Sequence, residues 1–129
     1  MSTPVGQALI ECSVLNLFGE RSQRYVQDDV FQLWQFMMYH KHGFQVENPQ
    51  PCRWLPLLPG GSNVPAGPLV NRVQLSRWDA ELQKVQFIER FVSADDTAKV
   101  SDLLRRHYSP EQLGGYPLEL KIEPGFVSI

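Results

Sequence analysis

Apolar and polar positions recur along the chain with periods that mark out short elements. Residues 8–18 form an apolar run in which only Glu11, Ser13 and Asn16 intervene. The length of the run and the stop at Gly19 predict a strand. Residues 25–41 carry the clearest helical spacing. Val26, Val30, Leu33, Trp34 and Met37 recur at steps of three and four, and Phe31 and Met38 widen that face. Asp28 and Asp29 near the start, Lys41 near the end and Gly43 just beyond fit a helix with a complemented dipole and a left-handed C-terminal cap. Residues 44–47 then read as a short strand halted by Asn48-Pro49.

Further on, residues 69–77 alternate imperfectly as a strand, and 78–81 read as a turn. Residues 83–93 fit two templates. A helix would align Trp78, Leu82, Val85, Ile88 and Val92, whereas a strand sets Val85, Phe87 and Phe91 against Ile88 and Val92. The β-branched and aromatic enrichment selects the strand, and a helix start follows at once. Ser93 is placed as its N-cap, with Asp95 and Asp96 in the first turn and Val100, Leu103, Leu104 and His107 on one face. Asp95 with Lys99, and Asp102 with Arg106, form i,i+4 pairs in the favourable order. Ser109-Pro110-Glu111-Gln112 begins a short helical turn that Gly114-Gly115 ends. Leu118, Leu120 and Ile122 alternate with Glu119, Lys121 and Glu123, which predicts a half-buried strand. Pro124-Gly125 predicts a type II turn, and the apolar tail 126–129 is expected to tuck in.

This element order predicts a single α+β domain over 1–129, with two helices on one face of a mainly antiparallel sheet. A split βαβ arrangement that resembles the ferredoxin-like fold, with an inserted loop and one extra strand, accommodates the order. No internal repeat is visible in the sequence.

The insertion is the most distinctive stretch. Between Asn48 and Leu69 lie six of the ten prolines and three of the nine glycines. Proline fixes φ and removes a backbone donor, so 49–68 is expected to be a long ordered loop rather than a helix or a central strand. Arg53, Trp54, Leu55, Leu57 and Leu58 within it make an aromatic and aliphatic cluster of the kind found at interaction hot spots.

Composition limits the partners. Of the 129 residues 43% are hydrophobic and 20% charged, with a formal net charge of −2. That is globular composition, and the charge disfavours broad binding to nucleic acid. Phe87 and Phe91 could stack bases on one strand face, but no basic, glycine-flanked aromatic motif accompanies them. No apolar window reaches membrane-spanning length. With no secretory signal at the start, the expected location is cytoplasmic, and Cys12 and Cys52 are read as reduced thiols.

Chemistry-bearing patterns are sparse. His40-Lys41-His42 places two histidines about 200° apart on a helix, so they cannot converge on one metal ion. Cys52 beside Arg53 could be an activated thiol, yet no histidine is tied to it by spacing. Gly60-Gly61-Ser62-Asn63 matches neither a dinucleotide nor a phosphate-loop fingerprint. No catalytic residue, metal or cofactor is therefore assigned. The expected function is a non-enzymatic protein–protein interaction module, such as a small adaptor, inhibitor, immunity-type or assembly protein. Its docking residues would be Trp54, Leu55, Leu57, Leu58 and Arg53, its partner another protein, and an exposed edge strand could form a homodimer. The alternative is a small enzyme or ligand binder with a pocket between sheet and loop, using Tyr39, His40, Cys52 and Arg53.

Overall fold

A computed structural model describes residues 6–108 and 118–128. Among these residues are seven strands and two α-helices, and they divide into two compact units, one up to residue 68 together with those from 125 onward and one between 69 and 124. The short helical turn expected after Ser109 lies outside the described residues.

In the first unit β1 (Gln7–Leu15) pairs antiparallel with β2 (Arg21–Gln27) on one side and β3 (Gln45–Pro56) on the other. A 3-10 turn over Asp28–Val30 leads from β2 into α1 (Phe31–His42), which packs against β3. A final strand, β7 (Gly125–Ser128), pairs antiparallel with Arg53–Pro56 of β3. In the second unit β4 (Val70–Asp79) lies between β5 (Lys84–Ser93) and β6 (Glu119–Glu123), again antiparallel to both. A 3-10 turn over Ala94–Asp96 leads from β5 into α2 (Thr97–His107), which packs against β4 and β5.

The ferredoxin-like expectation is therefore overturned. Strands dominate the chain, and a β-hairpin precedes each helix, so the order is ββαβ twice and then one strand. Each helix accompanies the strands of its own unit, rather than two helices sharing one face of a ferredoxin-like sheet. The error has a local source. β2 begins Arg21-Ser22-Gln23-Arg24, four exposed polar residues with no apolar alternation, so it gives no strand signal until Tyr25. Its Tyr25-Val26 end was absorbed into the helical pattern of α1.

The two units repeat one plan that the sequence conceals. Gln27 and Ser93 each precede a 3-10 turn, and they pair with Leu9 and Val70 respectively. From that common register the buried residues of the central strands coincide: Leu9, Cys12 and Val14 in β1, and Val70, Val73 and Leu75 in β4. The partner strands likewise bury Tyr25 and Phe91 at equivalent places. Between 25–42 and 91–108 only Val26/Val92 and Asp29/Asp95 are identical. Packing tolerates almost any apolar residue of suitable volume at such sites, so the plan persists without sequence identity.

The proline-rich stretch is a strand in its first part. β3 runs through Pro49, Pro51 and Pro56, with Asn48 at a φ of 53° beside the first of them. The register with β1 slips between Glu11 and Ser13, across from this point. Among the described pairings, β7 covers only Arg53–Pro56, so the earlier part of β3 meets β1 alone. Proline is tolerated where one side of a strand has no ladder partner, and it blunts that side against further pairing.

Candidate functional site

The outer face of α1 exposes a row of apolar side chains. Phe31 is buried, and Trp34, Gln35 and Met38 are half-buried on the same side. This is not the face that the sequence spacing selected. Leu33 and Met37, expected inside, are 65% and 45% exposed, and Phe36 and Tyr39 are 59% and 60% exposed. Leu33, Phe36, Met37 and His40 follow the i, i+3, i+4, i+7 spacing, so they form one stripe opposite Phe31. The rings of Phe36 and His40 lie 4.1 Å apart, and Tyr39 meets His40 edge-on at 5.0 Å. Aromatic rings favour such tilted and edge-on arrangements.

The second unit supplies an internal reference. Aligned from their 3-10 turns, Phe31, Trp34, Gln35 and Met38 of α1 correspond to Thr97, Val100, Ser101 and Leu104 of α2, which are also buried or half-buried. On the outer side the equivalents of Leu33, Phe36, Tyr39 and His40 are Lys99, Asp102, Arg105 and Arg106. Only the pair Met37 and Leu103 is apolar and exposed in both helices. The plan thus accepts a charged outer face at this helix, and α1 presents an apolar one.

The β1–β2 hairpin tip adds to the apolar surface. Asn16 organises it: its side-chain oxygen accepts from the backbone N–H of Phe18 at 2.9 Å and of Glu20 at 3.0 Å. The tip carries Leu17 and Phe18, which are 72% and 87% exposed. Leu17 lies over the end of α1, where a Cβ on Gly43 would come within 3.2 Å of it. Gly43 holds a left-handed φ of 70°, and its N–H donates to the Tyr39 carbonyl to close the helix.

The residues expected to dock a partner are placed differently. Trp54 is 2% exposed, on β3 opposite Val127, with Gly125 directly against its indole; a Cβ there would overlap the ring. Arg53 is exposed and donates to the Gly6 carbonyl at 3.2 Å. Leu55, Leu57 and Leu58 are half-buried. Asn63 ties the loop after β3, accepting from the Leu58 N–H at 2.9 Å and donating to the Pro56 carbonyl at 3.0 Å. The apolar cluster is ordered, and its tryptophan is part of the core of the first unit.

The residues weighed for chemistry do not line the open groove of the second unit. Tyr39, His40 and His42 are exposed on α1, while Cys52 is half-buried on β3. Cys12 is buried and free. Burial pushes both thiols up to about 11, with Glu11 adding to the effect, so both hold their protons at neutral pH. No cluster of three metal-ligating side chains occurs among the described residues. The groove of the second unit, of about 460 Å³, is lined by Arg77, Lys84, Phe87, Tyr108, Leu75 and Leu118 among others. Its described lining contains no Asp, Glu, His or Cys, and none of Tyr39, His40, Cys52 and Arg53 reaches it. Phe87 is exposed near this groove, whereas Phe91 is buried, so the two do not form a joint stacking platform. Among the described residues no helix is long and apolar enough to cross a membrane.

Sequence reasoning missed the outer face of α1 for a physical reason. Apolar residues occupy nearly every side of this helix, so periodicity could not distinguish inside from outside. The available signal was the excess itself: a helix with this much apolar surface needs a second cover. Comparison of the chain with protein-family models, curated proteins and solved structures returned no match.

Proposed function

We propose that the chain is a non-enzymatic protein–protein interaction module whose docking surface is the outer face of α1. The supporting observation is the contrast between equivalent helices: Leu33, Phe36 and Tyr39 stand exposed where α2 carries Lys99, Asp102 and Arg105. Exposed aromatic, methionine and leucine side chains in one stripe are the composition of interface cores. Contiguous apolar surface of this kind is costly to leave in water and marks a site that a partner covers. The half-buried Leu57 and Leu58 stand outside this stripe and serve as the control surface.

The test is affinity capture with the whole chain as bait. L33K/F36D installs on α1 the residues that α2 carries at the same places. It is expected to keep the circular dichroism spectrum and lose the bound protein. L57S/L58S is expected to retain it. Capture lost in the loop variant and kept in the helix variant would move the docking surface to the loop and end this reading.

A further inference from the structure

We infer that the occupant of the α1 face is a second copy of this chain, with the two α1 helices antiparallel across a two-fold axis. The inference rests on the docking surface proposed above and names its partner. Charge and spacing on the same element carry it. Asp28 and Asp29 lie exposed in the 3-10 turn that leads into α1, and His40, Lys41 and His42 lie exposed at the end of the helix. The apolar stripe lies between them. A two-fold contact is self-complementary, so what one face offers it must also accept. With the helices antiparallel about residue 35, Leu33 of one copy meets Met37 of the other, and Phe36 falls near the axis. Asp29 of each copy then stands beside Lys41 of the other. A parallel arrangement would set acid against acid and base against base, which is unfavourable.

The terminal charges alone would not suffice, because each also complements the dipole of its own helix. Indeed α2 has the same ends, Asp95 and Asp96 against Arg105, Arg106 and His107. What α2 lacks is the apolar stripe: Lys99 and Asp102 interrupt it. In α1 the stripe supplies the attraction, and the ends set direction and register. The net charge of −2 per chain leaves little overall repulsion between copies. The contact is small, so dissociation in the micromolar range is expected.

Sedimentation equilibrium of the whole chain, up to about 100 μM, where an interface of this size is populated, gives the test. The wild type is expected to reach twice the chain mass reversibly. L33K/F36D is expected to remain at the chain mass. K41E alone and D28K/D29K alone each set like charges together at both ends, and each is expected to weaken association about tenfold. An equimolar mixture of those two variants restores opposite charges at both ends, and it is expected to associate within about threefold of wild type. A wild-type chain that stays monomeric overturns the second copy as occupant. So does a dimer that the charge variants and their mixture leave unchanged. If the chain is monomeric but L33K/F36D still abolishes capture of another protein, the docking surface stands and only its occupant is wrong.

Discussion

The two units show one structural plan finished in two ways. Their inner positions are interchangeable in kind, with Leu9, Cys12 and Val14 in one and Val70, Val73 and Leu75 in the other. Their helices bury equivalent residues, follow acidic 3-10 turns and have basic ends. The difference lies outside, where α2 turns charge to solvent and α1 turns rings and aliphatic chains. Burial constrains the inner positions to apolar volume, whereas the outer positions carry no such demand. An apolar residue at an outer position is therefore informative in a way that one at an inner position is not.

The largest effects should come from the positions that the units share. Val14→Ala in β1 and Leu75→Ala in β4 each remove a buried side chain at equivalent places, and each is expected to cost about 3 kcal/mol in chemical denaturation. A much smaller cost in one unit would break the equivalence. Next comes a contact of the first unit. Gly125→Val would drive a side chain into the Trp54 ring and is expected to cost about 2 kcal/mol, with altered tryptophan fluorescence.

A pH effect should also separate the units, since both cysteines belong to the first. A thiol held at about 11 in the fold, against an ordinary value of 9.0, keeps its proton longer when native. The stability it contributes is complete below pH 9, declines as pH rises through that point, and is lost above 11. Cys12→Val installs the equivalent of Val73 and should flatten the decline seen in unfolding measured from pH 8 to 11. An unchanged slope would remove the buried thiol as its cause. The smallest stability change is expected from exchanging the outer faces. L33K/F36D in α1 and K99L/D102F in α2 should each alter stability by less than about 0.5 kcal/mol. Association should nevertheless be lost in the first and gained in the second.

Much of the element map was legible. The strand over 83–93 was chosen over a helix from its β-branched and aromatic content, and β5 occupies Lys84–Ser93. The strands near 8–18, 69–77 and 118–123 and the helix after Ser93 were likewise legible from their period, although Ser93 makes no side-chain cap bond and a 3-10 turn separates it from α2. Three features were hidden. β2 carries its polar residues first, so its pairing with β1 is set by the neighbouring strand rather than by its own alternation. β3 persists through prolines because part of it has a ladder partner on one side only. The type II turn expected at Pro124-Gly125 is instead the entry to β7, with Gly125 already paired to Pro56. The candidate site was legible only as an excess of apolar residues on one helix, since exposure depends on what the rest of the chain covers. Trp54 misled in the opposite sense, because its surrounding prolines suggested a loop while β7 encloses it.

That enclosing strand imposes an order of events. β7 follows every residue of the second unit along the chain, yet it completes the first. On a ribosome the second unit can gather its strands from neighbours in sequence, whereas the indole of Trp54 must wait for a segment synthesised some seventy residues later. A nascent chain halted before β7 would leave that ring and the far end of β3 open to chaperones. A protease cut just ahead of Gly125, where the second unit ends, would likewise weaken the first.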